Sequence, residues 1–204
     1  MFTPNLLTRG LTALALLGSL SLTACGSAEP DDDAGEEELI TQVQVTLTNA
    51  SDASDSVTIT ANDDDGDGAG ITFSPASVAL RAGATYNGSI RLLDTINDED
   101  ITDEIEEEAE EHLFRYSFQP TSAGTVTITD SEDDYTEKRE NGGNFQVGLR
   151  FQAAVSASAT GNGTMTALLY HFGDAPKTGN AATSDEIDVD IAFPVRFQGT
   201  VASN

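Results

Sequence analysis

The chain has 204 residues, 9 of them Lys or Arg and 35 Asp or Glu, for a formal net charge of -26 at neutral pH. So acidic a surface repels phosphate backbones, which excludes nucleic acid as a partner, and it repels anionic headgroups as well. With one cysteine in the chain there is no intrachain disulfide, so stability must come from a core, with or without a bound ion.

Residues 1–10 carry Arg9 and no acid, and Leu11 to Leu22 is a nearly continuous Leu/Ala run. That is a signal-peptide pattern, too short for a transmembrane helix, which needs about 20 apolar residues. The run closes on Leu22-Thr23-Ala24-Cys25, which resembles the bacterial lipobox Leu-(Ala/Ser/Thr)-(Gly/Ala)-Cys at all four positions. The expectation is a lipoprotein signal peptide over 1–24 and lipidation at Cys25. Several acyl chains, each stabilised by about 0.8 kcal/mol per buried methylene, would anchor the chain to a membrane. Loss of residues 1–24 would remove Arg9 alone, leaving 8 basic against 35 acidic residues.

Gly26 to Glu38 (GSAEPDDDAGEEE) is small and acidic, with no branched apolar or aromatic residue. It has nothing to bury, so 25–38 reads as a lipidated, disordered tether. Gly26 and Ser27 lack the Asp that retains many lipoproteins in the inner membrane. The expected location is therefore the cell envelope, as an outer membrane lipoprotein facing the periplasm or the cell surface.

From Leu39 the pattern has period two. Val43, Val45 and Leu47 alternate with Gln and Thr, and Val57, Ile59 and Ala61 repeat the alternation after a polar break. Short extended pieces follow at Ile71 to Phe73 and Val78 to Leu80, then a strand carrying Ile90 and Leu92. Later strands are expected over Leu113–Phe118, Thr125–Thr129, Phe145–Val155, Thr164–Phe172 and Ile187–Phe197. Gly161-Asn162-Gly163 reads as a hairpin turn. In the last strand Ile187, Val189, Ile191, Phe193, Val195 and Phe197 are expected to share one face, and Pro194 points to an edge or a bulge. Threonine-rich strands separated by Gly/Asn/Asp turns imply an all-β, immunoglobulin-like β-sandwich over residues 39–204.

One helix is expected, Asp100 to Glu111 (DITDEIEEEAEE), with Ile101, Ile105 and Ala109 as a narrow apolar stripe and Thr102 as its cap. Such a run is ordinarily a solvated face; it is also a density of carboxylate that favours a cation.

Ile101 to His112 (ITDEIEEEAEEH), followed by Phe114 and Tyr116, resembles a segment of small envelope lipoproteins of Bacteroidota. The likeness extends to the Glu38-Leu39-Ile40-Thr41 entry, the Asp-Gly-Asp-Gly turn and a late His-Phe strand end, and spans most of 38–197. Its motifs are not tied to known chemistry. Some of those proteins carry the label of a type 1 periplasmic-binding fold, which alternates strands and helices in two lobes; the pattern here implies a sandwich.

Two groups of residues are candidates for an ion. Asp63, Asp65 and Asp67, with Gly68 next and the Ala69 carbonyl beyond, match the first positions of a calcium loop, although Ser74 stands where the bidentate Glu belongs. The bland alternative is an acidic turn. Calcium is the cofactor this loop would take. The second group is His112 and His171 with Glu108 or Glu111, a donor set for a transition metal if the fold brings them together. A hydrogen-bonded structural histidine is the commoner role for each. Catalytic motifs are missing: no cysteine nucleophile, Gly-x-Ser-x-Gly elbow, His-Glu-x-x-His or phosphate-cradling loop. The sequence therefore reads as a non-catalytic envelope binding module for a protein partner, a carbohydrate or a cation. The alternatives are a metal-handling protein and a structural surface protein.

Overall fold

A computed structural model describes residues 38–66, 68–135, 143–173 and 175–199. The lipobox with Cys25, the tether up to Glu37 and Asp67 lie outside the described residues. The strands are β1 (Gln42–Asn49), β2 (Ser56–Asn62), β3 (Thr72–Ser74), β4 (Val78–Arg81), β5 (Thr85–Leu93), β6 (His112–Gln119), β7 (Gly124–Ile128), β8 (Arg150–Val155), β9 (Gly161–His171) and β10 (Glu186–Gln198), with one α-helix, α1 (Ile101–Glu107), between β5 and β6. They form two sheets, of order β3-β2-β1-β5-β8-β7 and β4-β10-β9-β6. This is the all-β sandwich that the alternating pattern implied.

The period-two sequence explains the layering. In β1, Val43, Val45 and Leu47 are buried, while the intervening polar residues point outward. On the outer face Thr46 meets Thr58 at 3.0 Å and Thr48 meets Ser56 at 2.8 Å, cross-strand hydroxyl pairs of the kind that stabilise a sheet. Between the sheets, Phe73 packs edge-on against Phe193 at 5.9 Å, and Tyr116 lies 4.2 Å from Phe151. The core is continuous across both layers, which is where burial at about 25 cal/mol per Å² of apolar surface stabilises the fold.

Several expectations are corrected. Gly161-Asn162-Gly163 is not a turn but the start of β9, in register with Phe197, Arg196 and Val195. Gly163 is needed there because a Cβ would run into the Gln119 carbonyl oxygen. The strand expected over Phe145–Val155 begins only at Arg150. Upstream, the Val147 carbonyl accepts from Phe114 N of one sheet at 2.7 Å and the Leu149 carbonyl from Ile90 N of the other at 3.0 Å. That segment crosses between the layers and lies in neither. In β10 the register shifts between Ile187 and Val189, so Ile187 leaves the shared apolar face and is 48% exposed. Pro194 stands one residue before the ladder with β4 begins at Val195, where that flank of β10 has no strand partner in register.

The helix is shorter than its acidic run. It covers Ile101–Glu107, with Ile101, Ile105 and Ala109 buried as the stripe required. Its last turn carries no basic residue, and carboxylates near a helix C-terminus oppose the macrodipole. The cap is Asp100 and not Thr102: Asp100 accepts from Thr102 N at 3.2 Å, while the Thr102 hydroxyl donates to Leu92 O at 3.1 Å. Arg91 adds an ion pair to Asp100 at 2.7 Å.

Desolvation works against ionised Asp100, but the bonds from Arg91 and Thr102 and the charge of Arg91 outweigh it, so the carboxyl titrates below its ordinary value. Its contribution to stability is intact above that ordinary value and is lost as pH falls through the lowered one. Asp100→Ala is expected to cost about 1 kcal/mol in urea unfolding at neutral pH, a typical N-cap loss. The difference from the wild type should shrink in acid.

Candidate metal centre

The β6–β9 ladder pairs His112, the first residue of β6, with His171, the last of β9. Directly opposed residues of an antiparallel pair share a face, so the two rings stack, with centroids 4.6 Å apart and planes 17° apart. Both side chains are buried, His112 at 0% and His171 at 4% exposure. Glu108 ends α1, and the turn that follows returns the chain to His112, whose Nδ1 lies 3.2 Å from the Glu108 carbonyl oxygen. Glu38 comes from the segment leading into β1 and puts Oε1 3.4 Å from His112 Nε2. One ligand atom from each of Glu38, Glu108, His112 and His171 lies within 4.8 Å of the others. Donors bound at about 2.1 Å can be no more than about 4.2 Å apart across one ion, so closure would require a contraction of several tenths of an ångström.

The orientation of the rings is the informative feature. On His112, Nδ1 faces the Glu108 carbonyl, and Nε2 has Glu38 Oε1 at 3.4 Å without the geometry of a good hydrogen bond. On His171, Nδ1 faces Asp188 Oδ1 at 3.8 Å, and Nε2 has no hydrogen-bond partner. Each ring thus turns Nδ1 toward a protein oxygen, as in the carbonyl- or carboxylate-oriented histidines of metal sites, while Nε2 of His112 meets the Glu38 carboxylate, itself a candidate ligand. Asp188 gets there because it is the extra residue of the β10 bulge; bulges re-aim side chains in this way.

Two further buried atoms, Glu38 Oε2 and Asp188 Oδ2, also have no partner. Buried Glu132 is paired through Oε1 with Lys177 Nζ, and buried Asp130 is satisfied at both oxygens. Asp130 Oδ1 accepts from Gly148 N at 2.7 Å, and its Oδ2 from Arg150 N at 2.7 Å and Tyr135 OH at 2.6 Å. Unpartnered buried polar atoms are costly, and His171 Nε2, Glu38 Oε2 and Asp188 Oδ2 are three of them around one pair of imidazoles.

The electrostatics agree. Burial disfavours ionised Glu38, but contact with His112 and its charge outweigh this and hold the carboxyl below its ordinary value. Burial likewise disfavours the His112 imidazolium, and Glu38 outweighs it and raises the ring. Asp188 is pushed up to about 6, by burial first and then by the charge of Glu38. Burial and neighbouring carboxylates, Glu38 among them, push Glu104 up as well, and Glu111 is raised by burial and by Glu108. Negative charge is in excess here, and a cation would relieve it.

No protein-family model, curated protein or solved structure matches the chain.

Of the second group of sequence candidates, the fold brings His112, His171 and Glu108 together. Glu111 is not among the converging ligands; its backbone is spent on the turn, with its carbonyl accepting from Phe172 N at 2.8 Å. Its place is taken by Glu38, which composition assigned to the tether and whose side chain is 9% exposed. Nothing in the run Glu36-Glu37-Glu38 singles it out. In the Asp/Gly loop, Asp63 is buried and both its oxygens accept from its own loop, from Gly66 N at 3.2 Å and Gly68 N at 2.7 Å. Asp65 and Ala69 are exposed. Among the described residues this loop does not form a converging group of three ligands.

Sequence reasoning also missed the device that holds the turn. Lys177 Nζ, fully buried, donates to the His112 carbonyl at 2.7 Å and to that of Ala109, and pairs with buried Glu132 at 3.2 Å. Burial lowers the Lys177 pKa, with Glu132 opposing. Lys177→Met is expected to destabilise by about 3–5 kcal/mol, because it strands a buried carboxylate. Lys177→Met with Glu132→Gln should recover part of that loss in chemical unfolding; a double variant no better than the single would show that the carbonyl bonds carry the effect.

Proposed function

We propose that this chain is a lipid-anchored cell-envelope protein that binds a divalent transition metal of the zinc class. The ligands are His112 Nε2 and His171 Nε2, with carboxylate oxygens from Glu38 and Glu108. The observation that carries the reading is the convergence within 4.8 Å of one donor atom each from Glu38, Glu108, His112 and His171, with Nδ1 of both buried imidazoles turned toward a protein oxygen. Imidazole with carboxylate suits zinc and its neighbours better than calcium, which takes oxygen ligands alone. Two histidines and two carboxylates would form a four-ligand set. The lipobox at Cys25 supports the envelope location.

Among the binding modes open to such a module, the cation is favoured over a glycan. Among the described residues the exposed large hydrophobics are Ile96 and Ile187, and neither offers an aromatic platform.

A thermal melt of the whole 204-residue chain in chelator, then with Zn²⁺ or Ca²⁺, tests the reading. Zinc at a hundredfold excess over Kd adds about 2.7 kcal/mol, an upshift of about 5–10 °C for a domain of this size. The shift should vanish in His112→Gln and in His171→Gln. A zinc response that survives both substitutions, or none in the wild type, would remove the metal reading. A calcium response lost in Asp65→Ala would move the ion to the Asp/Gly loop.

A further inference from the structure

A cavity of about 450 Å³ adjoins the histidine cluster. Its wall includes Glu38 and Asp188, while neither histidine lines it. These two residues therefore border both the cavity and the imidazoles. Each is at least nine-tenths buried and each keeps one oxygen with no hydrogen-bond partner. Asp63 and Asp190 also line the cavity, making four acidic residues in its wall, and half-exposed Ile187 stands beside Asp188 where the cavity meets solvent. No Lys, Arg or His lines the cavity. A concave site of one charge sign with low-dielectric walls concentrates counter-ions and raises their on-rates.

From this juxtaposition we propose that divalent metal reaches the histidine cluster through this cavity, with Asp188 as an outer oxygen ligand that holds the ion before His171 takes it. The proposal rests on the cluster's being a metal site. The bulge in β10 gives Asp188 two neighbours at once, since Oδ1 faces His171 at 3.8 Å while the residue also borders the cavity. Oxygen ligands bind and release a partly hydrated ion readily, whereas paired imidazoles hold a transition ion more firmly. The two positions in series make the centre one that exchanges its ion with the surroundings, as a metal-handling protein must, and not a sealed structural site.

The test is stopped-flow binding of Co²⁺ to the whole chain, followed by visible absorption, with release measured into excess chelator. Two variants separate route from ligand set. Ile187→Trp adds bulk at the mouth without touching a ligand or a charge, so it should slow uptake and release by the same factor and leave Kd within about threefold of the wild type, a change under 1 kcal/mol. Asp188→Asn keeps the shape and removes the charge, and should lower the association rate by about tenfold or more, the lower end of what a focused field contributes. Circular dichroism of each variant establishes that it is folded. A wild-type association rate in either folded variant overturns the proposal; in Asp188→Asn, unchanged association with faster release would make Asp188 only a support for His171. A wild-type chain that takes up no Co²⁺ fails at the earlier step and overturns the metal reading itself.

Discussion

The antiparallel register of β6 and β9 sets His112 opposite His171, and the polar end of the sandwich is arranged around that pair. Two imidazoles stacked at 4.6 Å in a buried layer cannot both carry a proton on every nitrogen without strong repulsion. Their surroundings resolve this by direction. The helix end gives a carbonyl to one ring, the β10 bulge gives a carboxylate to the other, and the remaining nitrogen of His112 lies 3.4 Å from Glu38 Oε1. A shift of one residue in this ladder would send one imidazole to the opposite face of its sheet and dismantle the arrangement.

The turn between α1 and β6 has to be held for the same reason. It is built from acidic residues at a helix C-terminus, where the dipole gives no help. Lys177 supplies the missing donors from inside, bonded to the carbonyls of Ala109 and His112 and paired with Glu132. In a chain with two lysines, one is committed to this buried role. The charge excess of the sequence thus has two faces. Most carboxylates lie on the surface or, like Asp94 and Asp130, spend their oxygens on backbone N–H groups. Glu38 and Asp188 instead lie buried beside the two imidazoles, each with one oxygen lacking a hydrogen-bond partner.

Some of this was visible in the residues. The alternation in Val43-Val45-Leu47 and in Ile191-Phe193-Val195-Phe197 dictates strands with one buried face, because a side-chain period of two admits no other regular placement. The stripe Ile101-Ile105-Ala109 dictates a helix with one buried edge. His171 at the inward end of an apolar strand and His112 at the end of an acidic run were recognisable as candidates from residue type alone. Asp100 rather than Thr102 as the cap was not, since both are good caps and only the path of the chain past Leu92 chooses between them.

The sequence by itself determined the strands, the helix, the acidic surface and the donor types available to an ion, because local periodicity and side-chain chemistry are properties of neighbouring residues. The tertiary structure decided which donors meet. Glu38 and His112 are 74 positions apart and His112 and His171 a further 59, and only the packing of the segment before β1 against the β6–β9 ladder closes those distances. The bulge at Asp188 belongs to the same category. One extra residue in one strand is invisible in a run such as Glu186-Ile187-Asp188-Val189-Asp190, where a register slip changes no residue type but turns a carboxylate from solvent toward a buried imidazole.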